Sequence, residues 1–178
     1  VKGKTKLLLN NLTLVFEDID NLKKAKSLTS HPVIYSKFII MKFLNALQSM
    51  LSINVQLEVM ILEGMPIYGR YMTHLTKGLC SNRSLKIINF ARTKMGDEAC
   101  EILCSNIKHL TNIESVNLSQ CNLGLKGAES VRDFIRFQKI HRFSEAWIRS
   151  LRYQNVDTEL FDGVKKIYLN NNPQIGDE

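Results

Sequence analysis

The apolar positions of this chain recur at a fixed interval. The segment from Leu85 to Phe90 has apolar residues at its first, fourth and sixth positions, and the segments that begin at Leu57 and Ile113, each 28 residues away, share this spacing. A fourth copy begins at Val164, 51 residues after the third. Residues two apart in a strand point to the same side, so the fourth and sixth positions share one face. The pattern predicts four short strands, each with one side turned into a core.

A helix is predicted after each of the first three strands. Apolar residues in these stretches are spaced three and four apart, which places them on one face of a helix. Gly96 and Asp97 open the second helix, and Asp97 is a candidate N-cap. The residues predicted to point inwards are Tyr71, Met72, Leu75, Leu79 and Cys80, then Ala99, Cys100, Leu103, Cys104 and Ile107, then Val131, Phe134 and Ile135.

A strand, a turn and a helix that recur with a period of 28 residues are typical of leucine-rich repeats. We therefore predict an α/β leucine-rich-repeat solenoid of the ribonuclease-inhibitor-like type, with long helix-bearing repeats and a parallel sheet on its concave side. A helical insertion is predicted between the third and fourth clear repeats.

The prediction treats residues 1–178 as a single leucine-rich-repeat domain fragment. Residues 57–135 are assigned to regular repeats, 136–160 to the insertion and 164–178 to a truncated repeat. Residues 1–56 are assigned to irregular N-terminal repeats or a cap. That region has candidate strands around Leu7 and Val33 and a helix-like run from Phe38 to Leu51.

The insertion accounts for the 23 residues by which the last interval exceeds the period. Ile140, Phe143, Trp147 and Leu151 are spaced three and four apart within it, so they form one stripe on a helix. Five basic residues, Arg136, Lys139, Arg142, Arg149 and Arg152, accompany a single acid, Glu145. The stripe is turned about half a revolution from the face that carries Val131 and Phe134. Either the chain bends near residues 137–139, or the stripe faces away from the solenoid.

Two surfaces are candidates for partner binding. The insertion contributes Trp147, Arg142, Arg149, Arg152 and Tyr153, although the stripe also fits a simple cover over the protein's own convex surface. The concave sheet face contributes Ile87, Asn89, Asn117, Lys166 and Tyr168. From the first predicted strand to the fourth, the residues on this face change from apolar to small and polar, and then to basic and aromatic. Isoleucine and valine are also simply good strand formers, so a structural interpretation stays open here too.

Composition adds few constraints. A length of 178 residues with 44% hydrophobic residues suits one core, and the net charge of +7 permits an acidic partner without selecting one. Cys80, Cys100, Cys104 and Cys121 are interpreted as structural thiols in a reducing compartment, in preference to metal ligands or disulfides. No run of 18 apolar residues occurs, so no membrane span is expected. A membrane is not among the predicted partners either.

The residues that usually carry catalysis are scattered. None of the histidines His31, His74, His109 and His141 has a metal-ligand spacing to a cysteine or carboxylate, and no nucleophile elbow or phosphate-binding loop occurs. We therefore predict a protein-binding scaffold that is not an enzyme, with no catalytic residue, cofactor or metal.

Two alternatives on the same fold stay open. A regulator of an enzyme, of the GTPase-activating or inhibitor type, would use an exposed arginine at a turn, and Arg92 has such a position. Nucleic-acid binding through the basic surface is disfavoured, because basic and aromatic residues do not interleave as in known RNA-binding modules.

A more specific resemblance lies in residues 57–177. The order is Asn117-Leu-Ser-Gln-Cys121-Asn122-Leu, then Gly127-Ala128, Glu145-x-Trp147, Ser150-Leu151-Arg152-Tyr153, Leu169-Asn170-x-Asn172 and Ile175-Gly176-Asp177. It resembles the family of the centrosomal leucine-rich-repeat protein of seventy-eight kilodaltons. The resemblance implies a non-enzymatic cytoplasmic protein of the centrosome, centriole and ciliary base that assists cilium assembly. It also implies contacts with centriolar proteins and a ubiquitin-ligase complex.

Overall fold

The computed structural model describes residues 6–8, 13–14, 33–34, 37–65, 67–153 and 163–176. The elements in these ranges are β1 Lys6–Leu8, β2 Thr13–Leu14, β3 Val33–Ile34, α1 Lys37–Ile53, β4 Val59–Ile61, α2 Gly69–Ser81, β5 Ile87–Asn89, α3 Gly96–Ile107, β6 Ser115–Asn117, α4 Leu125–Tyr153 and β7 Lys166–Tyr168. None of these helices combines the length and the hydropathy that crossing a bilayer requires.

Five strands form one parallel sheet in the order β1-β4-β5-β6-β7, and β2 and β3 form a separate parallel pair. The central residues Met60, Ile88, Val116 and Ile167 are Cα partners across β4 to β7. The four strands predicted from the apolar spacing are therefore confirmed. Their register places equivalent positions of the predicted segments side by side.

The core lies between this sheet and the helices. Met60, Ile88 and Val116 are at most 1% exposed, as their position in the apolar pattern predicts. In α1 the residues at the same helical spacing are buried with them, namely Ile40, Leu44, Leu47 and Leu51. Full burial of one such aliphatic side chain stabilises the fold by about 1.5–3 kcal/mol.

The fold class predicted from the repeat is corrected by the structure. The described part of the chain is a small α/β unit with a five-stranded parallel sheet and a separate strand pair, and it does not show a leucine-rich-repeat solenoid. Its helices have 17, 13, 12 and 29 residues, so the units are not equivalent. β1 pairs with β4 although a separate strand pair and a helix lie between them in sequence. The apolar spacing specifies short strands with one covered face, which a parallel sheet requires, but it does not specify equal units.

The helical insertion of that fold class is corrected too. Residues 125–153 form one continuous helix, α4, so the described part of the predicted insertion, residues 136–153, is the second half of a helix that begins in the core. The chain does not bend at residues 137–139. Ile135, which was predicted to point inwards, is 47% exposed, whereas Val131 and Phe134 are buried. The helix turns Ile135 past the edge of the core.

The N-terminal elements agree with the sequence pattern where they are described. β1 lies at the predicted strand around Leu7, β3 begins at Val33, and α1 covers the helix-like run that begins at Phe38. The residues between these elements lie outside the described ranges. The boundaries assigned within residues 1–178, at residues 56, 135, 160 and 164, stay predictions.

Candidate functional site

The five sheet residues predicted to bind a partner lie together on one face. Ile87 and Lys166 are both aligned with Ser115, and Asn89, Asn117 and Tyr168 form the next row. Residues on either side of a buried strand position point away from the core. Ile87 and Tyr168 are each 42% exposed, and Lys166 is exposed as well. The structure therefore brings this set into one accessible patch, which we call the sheet patch.

The two asparagines of the sheet patch also have a local role. The side-chain oxygen of Asn89 accepts a hydrogen bond from the Ala91 backbone N–H at 2.8 Å. Asn117 accepts the equivalent bond from Ser119 at 3.0 Å. Both bonds stabilise the turn that follows the strand, in the manner of an Asx turn. These residues therefore shape the edge of the patch, whatever else they bind.

Alternating charges run along the start of the strands. The Lys86 Nζ lies 3.0 Å from a Glu58 carboxylate oxygen, and the Lys165 Nζ lies 3.5 Å from Glu114. The hydrogen bond and the negative charge of Glu58 raise the pKa of Lys86. All four side chains are partly exposed, so each pair contributes little to stability. This row of ion pairs was not predicted, although the charges alternate in sign at the second position of the four predicted strand segments.

Arg92 lies at the turn after β5, where its φ is 60°. Its guanidinium is paired with the carboxylate of Glu63 in the neighbouring turn. The arginine that the enzyme-regulator alternative requires is thus held by an intramolecular partner.

The second half of α4 has a different surface. Ile140, Phe143, Trp147 and Leu151 are exposed by 61%, 75%, 61% and 69%. They lie along one side of the helix, as their spacing predicts, and this side faces away from the protein's own core. We call these four residues the α4 stripe. Of the two alternatives that the helical phase left open, the structure shows the outward-facing stripe.

The α4 stripe borders a groove of about 1120 Å³ between α4 and β7. Its apolar lining consists of Ile135, Ile140, Phe143, Trp147, Val164 and Ile167. Its basic lining consists of Arg136, Lys139, Arg142 and Lys165, and none of its described lining residues is acidic. An apolar groove with basic borders suits a ligand that combines apolar groups with negative charge.

A buried polar clamp holds the two walls of this groove together. Gln138, which is 2% exposed, donates from Nε2 to the carbonyl oxygens of Lys108 and Leu110, both at 2.9 Å. Its Oε1 accepts from the Val164 backbone N–H at 3.3 Å. Arg142 Nη2 donates to the Val164 carbonyl at 2.7 Å. Gln138 thereby forms hydrogen bonds both with the segment after α3 and with the segment that leads into β7.

The clamp includes Arg142, one of the residues predicted to bind a partner. Arg142 was singled out for a basic surface, but its guanidinium is bonded internally and its Nε has no hydrogen-bond partner among the described residues. Sequence reasoning missed Gln138, because its partners are backbone groups 26 to 30 residues away, which no local spacing reveals.

Three further residues of α4 were predicted to bind a partner, and the structure describes the side chain of one of them. Arg152 is exposed in the last turn of the helix. Arg149 and Tyr153 lie in the same stretch of α4, and their side chains are outside the described part of the structure. They stay predictions.

The cysteines show where reactive chemistry is suppressed. Cys100, Cys104 and Cys121 are buried, and Cys80 is half-buried. The hydrogen bond between Cys100 and Cys104, together with burial, raises the pKa of the Cys100 thiol, and burial raises the pKa of Cys121. A raised thiol pKa lowers the fraction of reactive thiolate at neutral pH. Within the described ranges, no three His, Cys, Asp or Glu side chains are grouped as metal ligands would be.

Comparison with known proteins identifies several relatives of this chain. No protein-family model matches it. The Protein Cep78 homolog of Drosophila melanogaster is 40% identical over 161 residues, which are 90% of this chain and 20% of the relative. The Centrosomal protein of 78 kDa is 35% identical over 147 residues in Mus musculus and over 146 residues in Homo sapiens. These alignments cover 83% and 82% of this chain, and 19% and 21% of the relatives.

The resemblance to the family of the centrosomal protein of 78 kDa is confirmed. The chain spans about a fifth of the length of the curated relatives it matches. Roles that belong to a whole protein of this family are therefore proposals for this chain. The groove beside the α4 stripe and the sheet patch are the surfaces on which such roles can be tested.

Proposed function

We propose that this chain is a non-enzymatic, protein-binding scaffold of the centrosome and centriole. It supports cilium assembly at the ciliary base and contacts centriolar proteins and a ubiquitin-ligase complex. The names of the relatives support the centrosomal role. The observation that carries the binding role is the α4 stripe, because four large apolar side chains that stay exposed on one side of a helix form a surface typical of protein contacts.

Two other candidate functions have less support. Arg92 is ion-paired with Glu63, so an activating arginine would first have to break that pair. The basic groups on α4 border an apolar groove, whereas a nucleic-acid surface needs a continuous basic track with stacking side chains. Protein binding suits both the apolar stripe and its charged border.

The proposal can be tested by the location of the tagged full-length protein in ciliated cells. We expect the wild type at the centrioles and a signal reduced at least about tenfold for Phe143→Ala with Trp147→Ala, since exposed aromatic anchors dominate many interfaces. Lys77→Glu with Lys126→Glu, two exposed positions away from the groove, is the matched control and should keep its location.

Two results would contradict this. A wild-type protein away from centrioles would overturn the centrosomal role. A double alanine variant that remains at centrioles would overturn the assignment to the α4 stripe and direct attention to the sheet patch.

A further inference from the structure

We infer that the groove between the second half of α4 and β7 receives an acidic amphipathic helix from a partner protein. This inference rests on the proposed role as a protein-binding scaffold, and it adds the chemistry of the partner. It depends on the shape of the groove, on its charge and on the rigidity of its walls.

The size and position of the groove suit a helix. Its volume of about 1120 Å³ corresponds to about two turns of an α-helix with its side chains. The core joins residues of α1, α2, α3 and the first half of α4, and α4 is the last described helix of that layer. The space beside it is bounded by one helix and by the strand at the end of the sheet. A helix laid there would extend the layer.

The α4 stripe provides the matching side-chain pattern. Ile140, Phe143 and Trp147 are spaced three and four apart and line the groove. Such rows of side chains pack between the rows of a facing helix. A partner helix with apolar residues at positions i, i+3 or i+4, and i+7 would therefore place its anchors between them.

Charge selects an acidic partner. Arg136 and Lys139 are exposed on the groove border, and neither has an ion pair within the described chain. Lys165 on the opposite wall is paired at 3.5 Å with Glu114, so among the described groove residues Arg136 and Lys139 are the cations without an ion pair or internal hydrogen bond. A partner carboxylate beside either would gain an attractive contact and a faster association. A second copy of this α4 is a poor occupant, because it would bring like charges together.

The walls are held before any partner arrives. The Gln138 clamp joins α4 to the chain that enters β7 through Val164. Gly163 lies against this clamp, with a φ of 121°, and a Cβ there would meet Arg142 Nε and Gln138 Oε1 at 2.6 Å. A groove with walls fixed in this way loses less conformational freedom on binding than one that must first be assembled.

Selection from a displayed peptide library tests the inference directly. One library carries Leu or Phe at positions i, i+4 and i+7 with Glu or Asp elsewhere, and a matched library carries Lys and Arg in place of the acids. We expect the full chain to enrich the acidic library. Phe143→Ala with Trp147→Ala should weaken the selected peptides at least tenfold, and Arg136→Glu with Lys139→Glu should remove the preference for acidic sequences. Lys77→Glu with Lys126→Glu should change neither.

Several outcomes would overturn it. These are no enrichment, equal enrichment of the basic library, or binding that survives both pairs of groove substitutions. A dimer in sedimentation that is lost in the double alanine variant would assign the groove to a second copy. Binding of single-stranded RNA that the groove substitutions abolish would assign it to nucleic acid. Loss of centriolar signal in the double alanine variant without any helix binding would leave the proposed function standing and overturn only the partner class.

Discussion

The two halves of α4 share one continuous helix but differ in what surrounds them. In the first half, Val131, Phe134 and Gln138 are at most 3% exposed. In the second half, the four residues of the α4 stripe are at least 61% exposed. Helices in proteins owe most of their stability to the packing of an apolar face. The first half therefore anchors the helix, and the second half presents an apolar surface that the fold itself does not use.

The boundary between the halves lies at Phe137 and Gln138. The ring of Phe137 packs edge-on against His109 with a centroid distance of 4.7 Å, and Lys108 Nζ lies 5.1 Å from the centroid of the same ring. Gln138 bonds the same segment after α3. Beyond this point, a hydrogen bond from Arg142 to the Val164 carbonyl joins α4 to the segment that enters β7. The clamp thus marks where the helix leaves the core.

The largest effect is expected from the anchoring half. Phe134→Ala should lower the free energy of unfolding by about 3–5 kcal/mol, because it leaves a cavity where a buried ring was. Urea denaturation followed by circular dichroism measures this. A loss of less than about 1 kcal/mol would contradict the anchoring role of the first half.

The second largest loss of stability is expected from a change in the Gln138 clamp. Gln138→Leu keeps the size of the side chain but leaves the Lys108 and Leu110 carbonyls and the Val164 N–H without their partner. We expect a loss of about 2–3 kcal/mol, since buried polar groups without partners are costly. Lys139→Leu, at the next and exposed position of the same helix, serves as the control in the same denaturation experiment. Equal stability of the two variants would show that the clamp does not join the walls.

A smaller loss is expected from the glycine beside the clamp. Gly163→Ala places a methyl group 2.6 Å from Arg142 Nε and also strains a residue with a φ of 121°. Gly176→Ala is the matched control, because its φ is 73° and nothing lies within 4 Å of the added Cβ. We expect the Gly163 variant to be less stable than the control by about 1–2 kcal/mol in thermal unfolding. Equal melting temperatures would contradict the close approach at the clamp.

The smallest effect on stability is expected from the outward half. Trp147→Ala should change the free energy of unfolding by no more than about 0.5 kcal/mol, because the side chain is mostly exposed. The same substitution should weaken binding of an acidic helix, so stability and binding separate at this position. A loss of several kcal/mol in urea denaturation would mean that the stripe packs against the protein itself.

The sequence predicted the inward positions well and the outer arrangement less well. The burial of Met60, Ile88 and Val116 could be predicted because a strand with one buried face has apolar residues at a strict spacing. The α4 stripe was found for the same reason, since helical spacing is local. The predicted solenoid was wrong because equal strand segments do not require equal helices or a regular strand order.

The groove and its clamp could not be predicted from the amino-acid sequence. Gln138 acts through backbone groups of Lys108, Leu110 and Val164, and their proximity depends on how α4 crosses the preceding segment. The glycine at position 163 is explained only when those side chains are in place. Long-range polar contacts of this kind have no signature in the spacing of residue types.

Hydrogen exchange of the full chain, with and without the selected acidic peptide, tests the division of α4 most directly. In the free chain we expect slow exchange for the amides of residues 129–138 and much faster exchange for residues 143–152, because only the first set lies in the packed half. The peptide should slow exchange in residues 139–152 and leave the first half unchanged. Uniform protection along α4 in the free chain, or protection by the peptide only at the sheet patch, would contradict this division.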